Sequence, residues 1–189
     1  QILFNIIPKR YRDLGLNEID TYFAMARGYQ GDKGDVKALA MKKWFNTNYH
    51  YMVAEIEDDT KIELASDKPF KLYNEALLLG IDSKPVVIGA YTLLKLARYK
   101  GRLRPFDFVK DTIEAYSELL EKFSILGASY IQFDEPALVL DMSDEDKKDR
   151  LVTIDDYDSL IVDPEYTAFE TITGIEDNKD GTYTVTTKL

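Results

Sequence analysis

The sequence predicts an α/β fold built on parallel strands. Between residues 49 and 133 predicted strands alternate with helical segments, and two consecutive helices separate the last two strands. Residues 84–89 form a continuous apolar run, which is typical of parallel strands covered on both faces. Residues 107–126 carry apolar side chains at spacings of three and four, which is one face of a long helix. Such alternation is the pattern of βα units.

The first third of the chain predicts a helix, a loop and a strand. Apolar residues recur on one helical face at residues 18–27, and Gly28 is the expected C-cap. Residues 29–35 are rich in Gly and Asp and are expected to form a loop. A strand is expected from Tyr49 onward by propensity, and residues 58–60 mark the turn that follows it.

Three helices are expected in the middle of the chain. The first covers residues 67–79, with Pro in its first turn, and ends before Gly80. The second covers residues 91–99 and ends before Gly101. The third is the long helix described above, and Asp107 can cap its start.

An apolar strand at residues 130–133 runs directly into Asp134, Glu135 and Pro136. Because side chains alternate along a strand, Asp134 and Glu135 are expected on opposite faces. One interpretation is a ligand-binding rim, since ligands bind at the carboxyl ends of parallel strands. The other is that Asp134 braces the following loop through backbone N–H groups, and that Pro136 merely ends the strand.

The pattern changes after Leu140. Residues 141–149 are a charged run, which indicates a solvated helix start or a linker. Later residues are rich in Thr, Asp and Tyr, and a turn at 178–181 followed by alternation predicts a strand. We therefore expect a domain at residues 1–148 and a β-rich tail at 149–189.

Composition excludes several classes of function. The net charge of -10 and the pI near 4.7 disfavour a nucleic-acid partner, which needs clustered Lys and Arg. No apolar run is long enough to span a membrane, and no signal peptide is recognisable. The absence of Cys excludes disulfides and thiolate metal sites, and fits a cytoplasmic protein. With one His in the chain, any metal site would need carboxylates.

A cluster of cationic, aromatic and amide side chains is the second candidate site. Lys42 and Lys43 precede Trp44, and Asn46 and Asn48 follow it. Such a cluster suits an anionic ligand with a ring, because Lys attracts carboxylates and Trp offers a stacking surface. The alternative is a core Trp44 beside a solvated Lys43.

His50 follows this cluster on the predicted strand. A single His between two Tyr residues is more often a hydrogen-bonded core group than a catalyst. No Ser or Cys pattern accompanies it, so no catalytic role is assigned to it. No other residue of the chain is assigned a catalytic role either.

Four segments together resemble the amino-terminal domain of cobalamin-independent methionine synthases. They occur in the family's order within residues 1–142. The segments are Asp20-Thr21-Tyr22-Phe23-Ala24-Met25-Ala26-Arg27-Gly28, Met41 to Val53 with Lys-Trp-Phe-Asn-Thr-Asn-Tyr-His-Tyr at its centre, Lys84-Pro85-Val86-Val87-Ile88-Gly89, and Gln132-Phe133-Asp134-Glu135-Pro136-Ala137-Leu138-Val139-Leu140.

The resemblance implies a methyltransferase that moves the methyl group of 5-methyltetrahydropteroyl-polyglutamate to homocysteine. It implies a partial (β/α)8-barrel with about three of the eight strands, truncated before Gln1 and inactive alone. The family's zinc is expected only in a carboxyl-terminal domain outside this chain. Lys43 matches the lysine of the Lys-Trp-Phe motif that contacts folate, whereas Asp134 and Glu135 match an Asp-Glu-Pro motif with a structural role here. Ala54 stands where the family usually has Pro.

A second hypothesis is a non-catalytic binding or assembly protein. Parallel strands that do not close into a barrel leave unpaired edges, and such edges favour association. The partner could be the missing barrel parts or a second copy of the chain. A methyl-folate polyglutamate is the expected small-molecule partner under the first hypothesis.

Overall fold

The structure is a computed structural model that describes residues 1–140 and two later strands, Thr171–Asp177 and Tyr183–Lys188. The chain divides into two compact units, Gln1–Val152 and Thr153–Leu189. The predicted charged run at 141–149 and the turn at 178–181 lie outside the described residues.

Four of the five helices in the described residues correspond to helices that the sequence predicts, and the first was not predicted. The five helices are α1 (Lys9–Arg12), α2 (Glu18–Arg27), α3 (Lys68–Leu78), α4 (Ala90–Leu96) and α5 (Val109–Ile125). Short 3-10 turns cover Ile2–Phe4, Pro105–Phe108 and Pro136–Val139. The helix predicted at 18–27 is confirmed, and Gly28 ends it with a φ of 83°. Among the described residues, no helix has the length and apolar character needed to cross a membrane.

The strands are short and pair two by two. In the first unit they are β1 (Tyr29–Gly31), β2 (Gly34–Val36), β3 (Met41–Lys43), β4 (His50–Met52), β5 (Glu55–Ile56), β6 (Val86–Ile88), β7 (Arg98–Tyr99) and β8 (Gln132–Asp134). In the second unit, β9 (Thr171–Asp177) pairs antiparallel with β10 (Tyr183–Lys188). A register shift between Thr186 and Thr187 interrupts that pairing.

Two strand pairs are parallel, as the alternation of strands and helices predicts. β6 pairs with β8, with Val87 opposite Phe133 and Ile88 opposite Asp134. β5 pairs with β7. The other two pairs of residues 1–140, β1 with β2 and β3 with β4, are antiparallel. The mixed α/β class is therefore confirmed, while the strands of residues 1–140 form four separate sheets and no closed barrel.

The structure corrects two predicted elements. Residues 29–35 are not a loop, because β1 and β2 form a hairpin in which Tyr29 pairs with Val36. The helix predicted at 91–99 stops at Leu96. Its last residues form β7 instead, since Arg98 donates its backbone N–H to the Ala54 carbonyl oxygen at 2.7 Å. Pairing with a distant strand overrides the local helical pattern here.

The long helix starts two residues later than predicted. Asp107 does act as a capping residue, but in the preceding 3-10 turn, where its carboxylate accepts the Arg104 N–H at 2.8 Å. The helical period is correct, and the buried face of α5 centres on Leu119, which is fully buried.

Within residues 1–140, the buried side chains include two groups. One surrounds Tyr11 and consists of Tyr11, Leu14, Ala24, Met25 and Leu39. The other is aromatic and joins helices to the β6–β8 pair. Its ring pairs are Phe4 stacked on Tyr116, Phe70 and Tyr73 against Phe123, and Tyr116 against Phe133.

Candidate functional site

The predicted Lys-Trp-Phe cluster lies on a β-hairpin made by β3 and β4. The register places Met41 opposite Met52, Lys42 opposite Tyr51 and Lys43 opposite His50. Lys43 and His50 are both exposed. His50 is therefore not the core group that the sequence predicts, and it is the direct cross-strand neighbour of Lys43.

Residues 44–49 form a compact connection between the two strands. The Trp44 N–H donates to the Tyr49 carbonyl oxygen at 2.7 Å, and the Thr47 hydroxyl donates to the Trp44 carbonyl oxygen at 2.6 Å. Phe45 has a φ of 53°, a left-handed conformation that is uncommon for a bulky residue. Asn46 and Asn48 lie exposed at this tip.

The two faces of the hairpin carry different chemistry. Because cross-strand partners share a face and neighbours along a strand alternate, Lys43 and His50 lie on one face. Lys42 and Tyr51 lie on the other. Trp44 packs edge-on against Tyr51, with ring centroids 5.4 Å apart, and so belongs to the second face. The predicted combination of the Lys43 ammonium with a Trp44 stacking surface is therefore divided between the faces.

Trp44 is half-buried rather than a core residue. Its ring also meets Phe45 edge-on, at a centroid distance of 5.0 Å. Burial raises the pKa of the Tyr51 hydroxyl beside it. These three rings form a small aromatic cluster on the Lys42 face, which leaves the Lys43 face polar at the tip of the hairpin.

At the second candidate site, Asp134 and Glu135 have different surroundings. Asp134 is exposed, and its carboxylate accepts one hydrogen bond, from the Gln132 side-chain amide at 2.7 Å. It does not brace the following loop through backbone N–H groups. Glu135 makes that kind of contact instead, so the predicted bracing falls on the neighbouring residue.

Glu135 ties the end of β8 to the start of α4. Its carboxylate accepts hydrogen bonds from the Tyr91 N–H at 3.0 Å, the Thr92 N–H at 2.7 Å and the Thr92 hydroxyl at 2.6 Å. A Cβ at Gly89 would overlap this carboxylate, so the position requires glycine. Helix N-termini leave N–H groups unpaired, and Glu135 satisfies two of them. Its position indicates a structural role.

A similar arrangement, which sequence reasoning missed, joins the other parallel pair. The Asp58 carboxylate, just beyond β5, accepts the Leu103 N–H at 2.9 Å and the Arg102 N–H at 3.1 Å. These donors lower the pKa of Asp58. A Cβ at Gly101 would overlap the carboxylate. The sequence does contain a signal for this arrangement, because the acid Asp58 follows β5 and the glycine Gly101 follows its partner β7.

A buried ion cluster at β5 was also missed. The Glu55 carboxylate is 4% exposed and lies 2.6 Å from an Arg10 guanidinium nitrogen and 3.6 Å from the Lys100 ammonium. A buried carboxylate is retained only when it is paired. Tertiary structure brings these three residues together from distant parts of the sequence, which explains why no local pattern reveals them.

The two candidate sites do not form one constellation. Lys43, Trp44, Asn46 and Asn48 share the hairpin, and within residues 1–140 no hydrogen bond or ion pair connects them to Asp134 or Glu135. The described residues also do not fit a zinc site, because they contain no group of three or more potential ligands. No step of chemistry is therefore assigned to a metal here.

The sequence matches one known protein family over most of its length. Residues 1–175 match the family described as cobalamin-independent synthase, N-terminal domain. The chain is 53% identical over 146 residues to a 5-methyltetrahydropteroyltriglutamate–homocysteine methyltransferase of Streptococcus suis, covering 77% of this chain and 20% of that protein. A relative of the same name from Bifidobacterium longum is 57% identical over 145 residues, covering 74% and 19%. The chain spans about a fifth of the length of these curated relatives.

Proposed function

The chain belongs to the cobalamin-independent methionine synthase family, through its N-terminal domain, and we propose that it supplies the folate-binding part of a methyltransferase. The reaction would move a methyl group from 5-methyltetrahydropteroyltriglutamate to homocysteine, in the cytoplasm and in methionine biosynthesis. The names of the relatives support this substrate pair. We assign the zinc that activates homocysteine to a domain outside these 189 residues, and we assign no catalytic residue to this chain.

The parallel pairs β5 with β7 and β6 with β8 also support a place in a (β/α)8-barrel. In such a barrel, ligands bind at the carboxyl ends of the strands. Glu135 and Asp58 lie at those ends but are engaged with backbone N–H groups. They position the strand ends rather than contact the substrate.

The observation that carries the proposal is the exposed ammonium of Lys43 at the end of β3. Within residues 1–140 no carboxylate pairs with it, whereas Lys71 and Lys122 are each paired with an acid one helical turn away. A triglutamate tail presents several carboxylates, and an accessible Lys attracts them as a compact charge. Lys43 is therefore the residue proposed to bind the tail of the folate.

The test is a calorimetric titration of the chain with 5-methyltetrahydropteroyltriglutamate. We expect Lys43→Ala to weaken binding by about tenfold, which corresponds to about 1.4 kcal/mol. The matched control is Lys42→Ala, which removes the same charge from the adjacent residue on the opposite face of the hairpin. That variant should bind within about twofold of the wild type, since exposed single charges act weakly at a distance.

The remaining hairpin candidates rank below Lys43. Asn46 and Asn48 can donate amide hydrogen bonds from the exposed tip, while Trp44 is turned toward Tyr51.

Equal binding by the wild type and Lys43→Ala would remove Lys43 from the site and leave the folate proposal without the residue that supports it. An equal loss of affinity in Lys42→Ala and Lys43→Ala would show that the positive charge of the hairpin, rather than a specific contact by Lys43, attracts the ligand.

A further inference from the structure

We propose that His50 is a second ligand-binding residue, which together with Lys43 holds one carboxylate of the glutamate tail beyond the first glutamate. The proposal rests on the proposed function, because it concerns the same hairpin face and the same ligand. It adds a residue that the Lys-Trp-Phe cluster alone does not identify.

The register of the hairpin brings the two side chains as close as cross-strand neighbours can be. Backbone hydrogen bonds join Trp44 to Tyr49 at 2.7 Å and Val53 to Ala40 at 2.8 Å. Hydrogen-bonded pairs alternate with non-hydrogen-bonded pairs along an antiparallel ladder, so Lys43 and His50 form a non-hydrogen-bonded pair. In such pairs the Cα atoms are about 4.5 Å apart and the side chains are closest.

Both polar groups are available to a ligand. Lys43 and His50 are exposed, and within residues 1–140 neither side chain makes a hydrogen bond or an ion pair. The next pair on this face is apolar, with Met41 64% exposed and Met52 packed against the Tyr11 group. The face therefore presents two nitrogen donors at its tip and a thioether surface behind them.

This combination fits a carboxylate attached to a short methylene chain. The Lys43 ammonium supplies positive charge, and the His50 imidazole supplies a directed N–H donor. A carboxylate has two oxygens and can accept from both donors at once. The methylene groups of a glutamyl residue can lie along Met41. An oligoglutamate is the ligand class that repeats this unit.

The experiment is a titration of the wild-type chain, His50→Ala, His50→Gln, Lys43→Ala and the double variant. The ligands are 5-methyltetrahydropteroyltriglutamate and its monoglutamate form. We expect His50→Ala to weaken triglutamate binding by about fivefold, and His50→Gln to recover part of it because the amide keeps a donor. The affinity of each single variant for the monoglutamate form should lie within about twofold of the wild-type affinity. For the triglutamate form, the fold-loss of affinity in the double variant should be smaller than the product of the two single fold-losses, since both residues hold one carboxylate.

Nuclear magnetic resonance gives a readout that a purely structural role would not move. His50 is the single histidine of the chain, so its ring protons report one residue. Adding the triglutamate ligand should shift these resonances in the wild type, and much less in Lys43→Ala. Unshifted ring resonances, or wild-type binding by His50→Ala, would overturn the His50 assignment while leaving the Lys43 result intact. If instead Lys43→Ala binds like the wild type, the proposed function itself fails.

Discussion

The end of β8 and the hairpin made by β3 and β4 both carry polar side chains, but these side chains differ in whether they are hydrogen-bonded within the fold. At the strand end, Glu135 accepts three hydrogen bonds within the fold. On the hairpin, Lys43 and His50 project from short strands into solvent. A polar group that satisfies internal donors stabilises the fold, whereas one without such partners is free to bind a ligand.

This difference reverses the ranking of candidate ligand-binding residues that their positions on the strands suggest. Acids at the carboxyl ends of parallel strands are the usual place to look for chemistry. Here the carboxylates of Glu135 and Asp58 accept hydrogen bonds from backbone N–H groups that follow the partner strand of each parallel pair. The two acids fix how the strand ends meet. The antiparallel hairpin is the element that we propose binds the ligand.

The largest expected effect comes from Glu135→Ala. Removing the carboxylate leaves the Tyr91 and Thr92 N–H groups at the start of α4 without their acceptor. Lost hydrogen bonds to a charged group and newly unpaired donors together should lower the free energy of unfolding by about 3 kcal/mol. Urea denaturation followed by circular dichroism measures this change.

Asp134→Ala is the matched control, because it removes the adjacent carboxylate, which is exposed and bonded only to the Gln132 side chain among the described contacts. It should change the free energy of unfolding by less than about 0.5 kcal/mol. Gly89→Ala should be as damaging as Glu135→Ala, since its Cβ displaces the same carboxylate. Its cost should shrink in the Glu135→Ala background. Additive losses would show that Gly89 acts independently of Glu135.

A smaller and pH-dependent effect is expected at Asp58. The Leu103 and Arg102 N–H groups lower the pKa of its carboxyl in the folded state. A depressed pKa contributes stability above the unfolded value of about 4, and this contribution disappears as the pH falls through the folded pKa. Asp58→Asn should therefore be less stable than the wild type at pH 7, with the difference vanishing as the pH falls below about 4.

Asp59→Asn provides the comparison for this measurement, because Asp59 is an exposed acid in the same turn. At pH 7 that variant should change the free energy of unfolding by less than about 0.5 kcal/mol, because its side chain is exposed. A stability difference for Asp58→Asn that stays constant between pH 7 and pH 3 would mean that the side chain's shape, rather than its charge, holds the 101–103 segment.

Local patterns predicted the parts of the fold that depend on local sequence. α2 follows from one apolar face and a terminal glycine, and β6 and β8 follow from short apolar runs. β7 could not be predicted, because residues 98–99 continue a helical pattern until β5 supplies backbone partners. Likewise, the hairpin of β1 and β2 was not predicted, because the Gly and Asp content of residues 29–35 indicates a loop.

The candidate site was predicted in composition but not in geometry. The sequence identifies Lys43 and Trp44 as neighbours, yet alternation along β3 and the Tyr51 contact separate them onto opposite faces. It also places His50 in the core, although the hairpin register exposes it beside Lys43. Register depends on which strands pair and on the length of the turn between them, and neither can be read from residue types alone.

The smallest expected effect on stability is at the hairpin itself. Lys43→Ala and His50→Ala should each change the free energy of unfolding by less than about 0.5 kcal/mol, because both side chains are exposed and the ladder is held by backbone bonds. Met52→Ala on β4, the strand that carries His50, is the positive control, since Met52 packs against the Tyr11 group and its truncation should destabilise the fold. Urea denaturation of the three variants compares them directly. If Lys43→Ala or His50→Ala were as destabilising as Glu135→Ala, these side chains would be holding the hairpin together. The contrast between a structural strand end and a hairpin that we propose binds a ligand would then fail.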